Sequence, residues 1–162
     1  VKSKIEIVEF EEYEKVYFYT LKYYGEVTEV DKFFDQFPDG CEFDEEINIL
    51  IKAIEQIGER GAFMRYFRYE GKQNDNVYAI PIESISLRLY VIRLSENIVI
   101  LGNGGRKTTP TYNEDPFLNS CVKLLQEIDG YIRKRLNSGS LSIINKQIFG
   151  NTTFYLTSNE NA

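Results

Sequence analysis

The sequence predicts an α+β fold: an antiparallel β-sheet with two N-terminal helices packed on it and a closing C-terminal helix. Three observations carry this. Short runs rich in Val, Ile, Phe and Tyr cluster together, separated by turn residues, instead of alternating one by one with helices. Two segments, at residues 47–57 and 118–132, instead repeat apolar residues at helical spacing. The composition, 43% hydrophobic and 27% charged, is that of a globular protein with a sizeable core.

The elements follow in order. Ile5 to Phe10 and Val16 to Tyr24 read as strands, with the acidic residues 11–14 as the turn between them. Thr28 and Asp31 have capping-box spacing and open a short helix carrying Val30, Phe33, Phe34 and Phe37. Pro38-Asp39-Gly40 ends it as a turn. Asp44 is the expected cap of the next helix, whose stripe is Ile47, Leu50, Ile51, Ile54 and Ile57, and Gly58 and Gly61 mark its end. These two helices are expected as an antiparallel pair on one sheet face.

Phe63 to Tyr69 reads as a strand running into a turn at residues 71–76, and Val77 to Ile82 as a second, with Pro81 marking a strand end. Leu87 to Leu94 and Ile98 to Leu101 form a hairpin across Ser95-Glu96-Asn97. Gly102 to Gly105 reads as a flexible loop leaving that hairpin. Asp115 and Pro116 then open a helix reaching about Leu136, with Leu118, Cys121, Val122, Leu125, Ile128 and Ile132 on its apolar stripe. Residues 1–137 read as one domain. Residues 138–162 read as a linker and a short β-like tail, its apolar pieces split by Gly150-Asn151.

The absence of histidine removes Ser-His-Asp, Cys-His and histidine–metal chemistry. Catalysis is left to carboxylates, Lys, Arg, Tyr and hydroxyls, and neither a metal nor a cofactor is expected. Cys41 and Cys121 are too few and too far apart for a disulfide framework or a zinc signature. No run approaches the roughly 18 apolar residues of a membrane span, and no basic-then-apolar leader is visible, so a cytoplasmic location with no membrane partner is expected.

The net charge of −6 is unevenly spread. Residues 1–59 hold six basic and sixteen acidic side chains, whereas residues 60–112 hold eight basic and four acidic. Ser86 to Thr111 alone carries four basic residues against Glu96. A positive segment on an acidic body points to a polyanion-facing centre, or to an acidic surface awaiting a basic partner. Gly102 to Thr108 is not a phosphate loop of the P-loop type, because Arg106 rather than Gly precedes Lys107 and no helix follows directly. On the strand after Ser86, alternation puts Leu87, Leu89 and Val91 on one face and Arg88, Tyr90 and Ile92 on the other. Arg88 among apolar neighbours needs a partner or an anionic ligand. Arg65 and Arg68 face opposite ways on a regular strand, so one of them joins Arg88. Tyr66, sharing the face of Arg68, is a candidate base-stacking ring.

The helix pair, Phe67-Arg68-Tyr69-Glu70, Leu87-Arg88-Leu89-Tyr90, the apolar strand Ile98–Leu101 and Lys107-Thr108-Thr109-Pro110 together resemble the RelE/HigB/ParE superfamily of bacterial toxin–antitoxin toxins. The likeness is to the HigB-like branch and a divergent relative common in gut Bacteroidetes, and it covers roughly Val16 to Leu136. The resemblance implies a RelE/HigB-like fold and a metal-independent endoribonuclease that cleaves messenger RNA on the ribosome. Its partner is a cognate antitoxin, expected to be a small helix-turn-helix protein. It implies Arg88 and Lys107 as catalytic cations, and Arg68, Arg106 and Tyr112 as RNA-binding residues. Two features depart from that pattern: RNA-cleaving members are usually basic, and the glycine segment is long. An inactive relative, or a non-enzymatic protein-interaction module with an acidic surface, is therefore the alternative.

Overall fold

A computed structural model of the chain describes residues 3–70, 74–81 and 85–156. Among them a seven-stranded sheet runs in the order β3-β4-β5-β6-β2-β1-β9. Its strands are β1 (Ser3–Glu12), β2 (Tyr17–Tyr23), β3 (Arg68–Tyr69), β4 (Val77–Ile80), β5 (Leu87–Ser95), β6 (Ile98–Arg106) and β9 (Thr153–Leu156). Neighbours are antiparallel except β2 and β6, which run parallel from Tyr17↔Ile98 to Thr20↔Leu101. The sheet is thus mixed, where the sequence reading expects antiparallel pairing alone. The chain leaves β2 for two helices and three strands before β6 returns beside it.

Helices α1 (Glu29–Asp35) and α2 (Asp44–Arg60) cover one face, burying Val30, Phe33, Leu50, Ile54 and Ile57 against Phe18, Leu89, Val91 and Val99. The 7-residue α1 lies mainly across β6 and β2, so the two helices share a face without forming a simple antiparallel pair. Helix α3 (Pro116–Ser138) covers the other face, setting Leu118, Val122, Leu125 and Ile128 on Tyr90, Ile92 and Ile100. Strands β5 and β6 are therefore buried on both faces, which is why Leu87 to Ile92 and Ile98 to Leu101 read as continuous buried runs. None of these helices is long and apolar enough to cross a membrane.

The helix ends follow local chemistry. The Thr28 hydroxyl accepts from the Asp31 amide at 3.2 Å, and the Asp115 carboxylate accepts from the Phe117 and Leu118 amides at 2.9 and 3.1 Å. Gly139, left-handed at φ 87°, ends α3 two residues past Leu136. Asp44 does not cap α2; it is already helical, and its carboxylate accepts from the Gly40 amide in the preceding turn.

Two further expectations are corrected. Met64–Tyr66 is a turn of 3₁₀ helix, and only Arg68–Tyr69 is strand, because Arg65 folds over the Phe63 and Tyr66 rings at 4.9 and 4.8 Å. Gly102 to Gly105 is not a loop: β6 runs through it to Arg106. These glycines serve close approach. A Cβ on Gly104 would sit 2.0 Å from the Arg88 carbonyl oxygen, and one on Gly102 would sit 3.0 Å from Leu125. Ile82 and residues 71–73 of the expected turn lie outside the described residues. In the tail, β7 (Leu141–Ile144) and β8 (Gln147–Gly150) form a hairpin. Strand β9 lies along β1 and puts Phe154 and Leu156 into the α3-side core.

Candidate functional site

Arg88 points to the α3 face, as alternation along β5 requires, and is only 6% exposed. One guanidinium nitrogen donates to the carbonyls of Ile85 and Leu87, while its buried Nε has no hydrogen-bond partner among the described residues. The neighbouring strands bring two more charges to this face. Arg68 pairs with Ala79 and Ala79 with Tyr90, so Arg68, Ala79 and Tyr90 lie in one row with only a methyl between the two long side chains. Glu70 follows two residues after Arg68 and shares its side. Its amide bonds to the Val77 carbonyl at 3.3 Å, and its buried Oε1 has no hydrogen-bond partner among the described residues.

Lys107 leaves the end of β6, its amide bonded to the Ser86 carbonyl at 2.8 Å. Tyr112, on a 3₁₀ turn before α3, meets Tyr90 edge-on with ring centroids 6.3 Å apart. The Tyr90 hydroxyl is buried and has no hydrogen-bond partner among the described residues. Arg68, Glu70, Arg88, Tyr90, Lys107 and Tyr112 thus form one neighbourhood with three cations around one carboxylate.

The electrostatics tie these groups together. Burial raises the Glu70 carboxyl above the ordinary carboxylate range, against the pull of Lys107, Arg68 and Arg88. Burial and the Glu70 charge push the Tyr90 hydroxyl up, and the same two causes, with Asp75, raise Tyr112. Burial, then Arg68, lowers Arg88. Behind the site, fully buried Asp129 accepts from the Asn76 amide and side chain and pairs with Arg133 at 3.2 Å, fixing the start of β4.

Other expected residues go elsewhere. Arg106 is opposite Leu87 and stacks over Phe43 at 5.4 Å, on the α2 side of the sheet, away from Arg88. Of the two upstream arginines, Arg68 shares the face of Arg88; Arg65 bonds the Tyr66 hydroxyl at 3.2 Å. Tyr66 therefore lies in the 3₁₀ turn with Arg65, not beside Arg68, and its ring packs against the α1/α2-side core.

Two residues escape the sequence reading. Glu70 carries a signal, since it stands two positions after Arg68, but it falls just past the strand read over Phe63 to Tyr69. Glu46, in the first turn of α2, accepts from the Ser86 amide and hydroxyl at 2.7 and 2.9 Å and from the Leu87 amide at 3.2 Å. It fixes the start of β5 and so the position of Arg88, from 40 residues away.

Comparison with protein-family models, curated proteins and solved structures finds no match to this chain. Two guanidinium groups and an ammonium suit a phosphate or carboxylate. A carboxyl with a raised value beside them suits proton transfer.

Proposed function

We propose that the Arg68–Arg88–Lys107 cluster binds a phosphodiester of single-stranded RNA and that the protein is a metal-independent, toxin-type messenger-RNA endoribonuclease. The observation that carries this reading is a buried carboxyl oxygen in the field of three cations, beside a buried phenol, both without a hydrogen-bond partner among the described residues. Such orphaned polar atoms are rare in a folded core unless a ligand completes them.

On this reading Arg88 and Lys107 hold the non-bridging phosphate oxygens and offset the charge that grows on them in the transition state. Arg68 binds the neighbouring backbone. Glu70 takes the proton of the ribose 2′-hydroxyl, whose oxygen attacks phosphorus. The 5′-oxygen leaves with a proton donated by Tyr112, giving a 2′,3′-cyclic phosphate and a free 5′-hydroxyl. The partner that belongs with this activity is a cognate antitoxin, a small helix-turn-helix protein.

The test is expression of the chain alone in a bacterial host, with cleavage of a short RNA by the purified protein. Growth arrest and cleavage are expected, both relieved by Arg88→Ala and by Lys107→Ala. Abundant, well-folded and harmless wild-type protein that leaves RNA intact overturns the reading. That result favours the second one, a non-enzymatic interaction module, for which the concentration of acidic residues in positions 1–59 speaks.

A further inference from the structure

A second feature lies on the opposite sheet face, between the end of β1 and the two N-terminal helices. It is a groove of about 270 Å³ lined by Phe10, Glu11, Tyr13, Phe34, Ile51 and Ile54. Phe10 is 37% exposed and Ile51 is 40% exposed, so two large apolar side chains face water here. Phe10 is placed there by a β-bulge: Glu9 pairs with Tyr19 and Glu11 with Phe18, leaving Phe10 as the extra residue. Bulges re-aim side chains, and this one turns an aromatic ring and the following carboxylate into the same groove.

The rim is acidic. Glu55 and Glu59 continue the line of Ile51 along α2 at four-residue steps, both exposed. Burial, then the charges of Glu11, Glu55 and Glu59, push the Tyr13 hydroxyl up to about 12. Glu12, on the same turn, is answered by Lys146 at 2.8 Å, whereas Glu11, Glu55 and Glu59 make no ion pair among the described residues.

We infer that this groove docks a basic amphipathic segment of a partner protein, an apolar anchor seated between Phe10 and Ile51 and flanking Lys or Arg side chains on Glu11, Glu55 and Glu59. An apolar slot gives the anchor its burial, and an acid rim selects against acidic or neutral helices of the same shape. A second copy of this chain would bring sixteen acidic side chains in residues 1–59 against the same acid rim, so charge selects a partner of opposite sign. The inference is independent of the RNA reading, whose residues lie across the sheet.

The test uses three labelled synthetic peptides: Leu and Lys at helical spacing, the same with every Lys replaced by Glu, and the same with every Leu replaced by Ser. Only the Leu/Lys peptide is expected to bind, saturably. Phe10→Ser, Ile51→Ser and Glu55→Lys should each weaken it about ten-fold, the scale of a lost interface anchor. If Phe10→Ser fails to fold, Glu55→Lys on the exposed side of α2 still decides. No binding by the Leu/Lys peptide overturns the inference. So does equal binding by the Ser/Lys peptide, or binding unchanged by the three substitutions. Self-association in sedimentation that Phe10→Ser abolishes also overturns it, assigning the groove to a second copy. Loss of peptide binding with RNA cleavage intact, and the reverse, separate this site from the other.

Discussion

Arg88 and Lys107 are both cations at one site, yet they are held differently, and the difference is measurable. Arg88 is tied to two carbonyls of its own segment and buried; Lys107 stands half-buried at a strand end. Lys107→Ala is expected to cost cleavage on the order of 10²-fold while unfolding free energy shifts by no more than about 0.5 kcal/mol. Arg88→Ala should lose cleavage and also about 1–3 kcal/mol of stability, because a buried and a half-buried carbonyl lose their donor. Urea titrations beside rate measurements check both. On the proposed function, Glu70 sets the pH dependence. Its folded-state value is raised by burial, so as the proton acceptor it becomes active only as pH climbs above the ordinary carboxylate range. Cleavage is expected to rise through that window in wild type, and Glu70→Gln should abolish the rise. For stability the sign is opposite. A carboxyl with a raised folded value contributes most when protonated, and that contribution is lost as pH rises through the folded value. Glu70→Gln should therefore hold its stability through the same window.

At the scale of elements, glycine positions discriminate most sharply. Gly104→Ala puts a methyl 2.0 Å from the Arg88 carbonyl oxygen in the next strand, so β5 and β6 must part. A loss of about 3 kcal/mol or more is expected from that overpacking. Gly130→Ala, inside α3 with open space around it, should instead stabilise the fold by about 0.5–1 kcal/mol. Thermal melts of the two variants should move in opposite directions. These positions also show what sequence can and cannot reveal. The caps Thr28 and Asp115 and the stripes on α2 and α3 are legible because cap and stripe are local patterns. The Gly102–Gly105 segment reads locally as a loop, since the reasons for its glycines lie in Arg88 and Leu125, remote along the chain. Within the site, Arg88 and Lys107 are legible from strand alternation and the motif. Glu70 owes its character to burial beside Arg88 and Lys107, remote along the chain, and Glu46 has no local signal because its bonds to Ser86 and Leu87 are purely tertiary.

For the molecule as a whole, the sheet separates two charge characters: the cationic cluster on the α3 side and the acid-rimmed groove on the α1/α2 side. Three cations at the cluster limit how many counterions RNA binding can release. The logarithm of affinity should fall against the logarithm of salt with a slope of about −2, from roughly 0.7 per neutralised phosphate on single strands. A slope near zero would detach the cluster from RNA altogether. The parallel pairing of β2 with β6 has a consequence of another kind, in the order of folding. It joins the β1-β2 hairpin to the antiparallel block β3-β4-β5-β6, each closed through short connections, while β9 reaches β1 from the far end of the chain. Contacts between neighbours form quickly, and distant ones wait for loop closure. The blocks should therefore assemble separately and dock late along four residue pairs from Tyr17↔Ile98 to Thr20↔Leu101. Across that join the Thr20 hydroxyl donates to the Leu101 carbonyl at 2.7 Å, over 81 residues of chain. A bond made only in the docking step belongs to the far side of the barrier. Thr20→Val should accordingly hasten unfolding and leave the refolding rate unchanged in stopped-flow measurements.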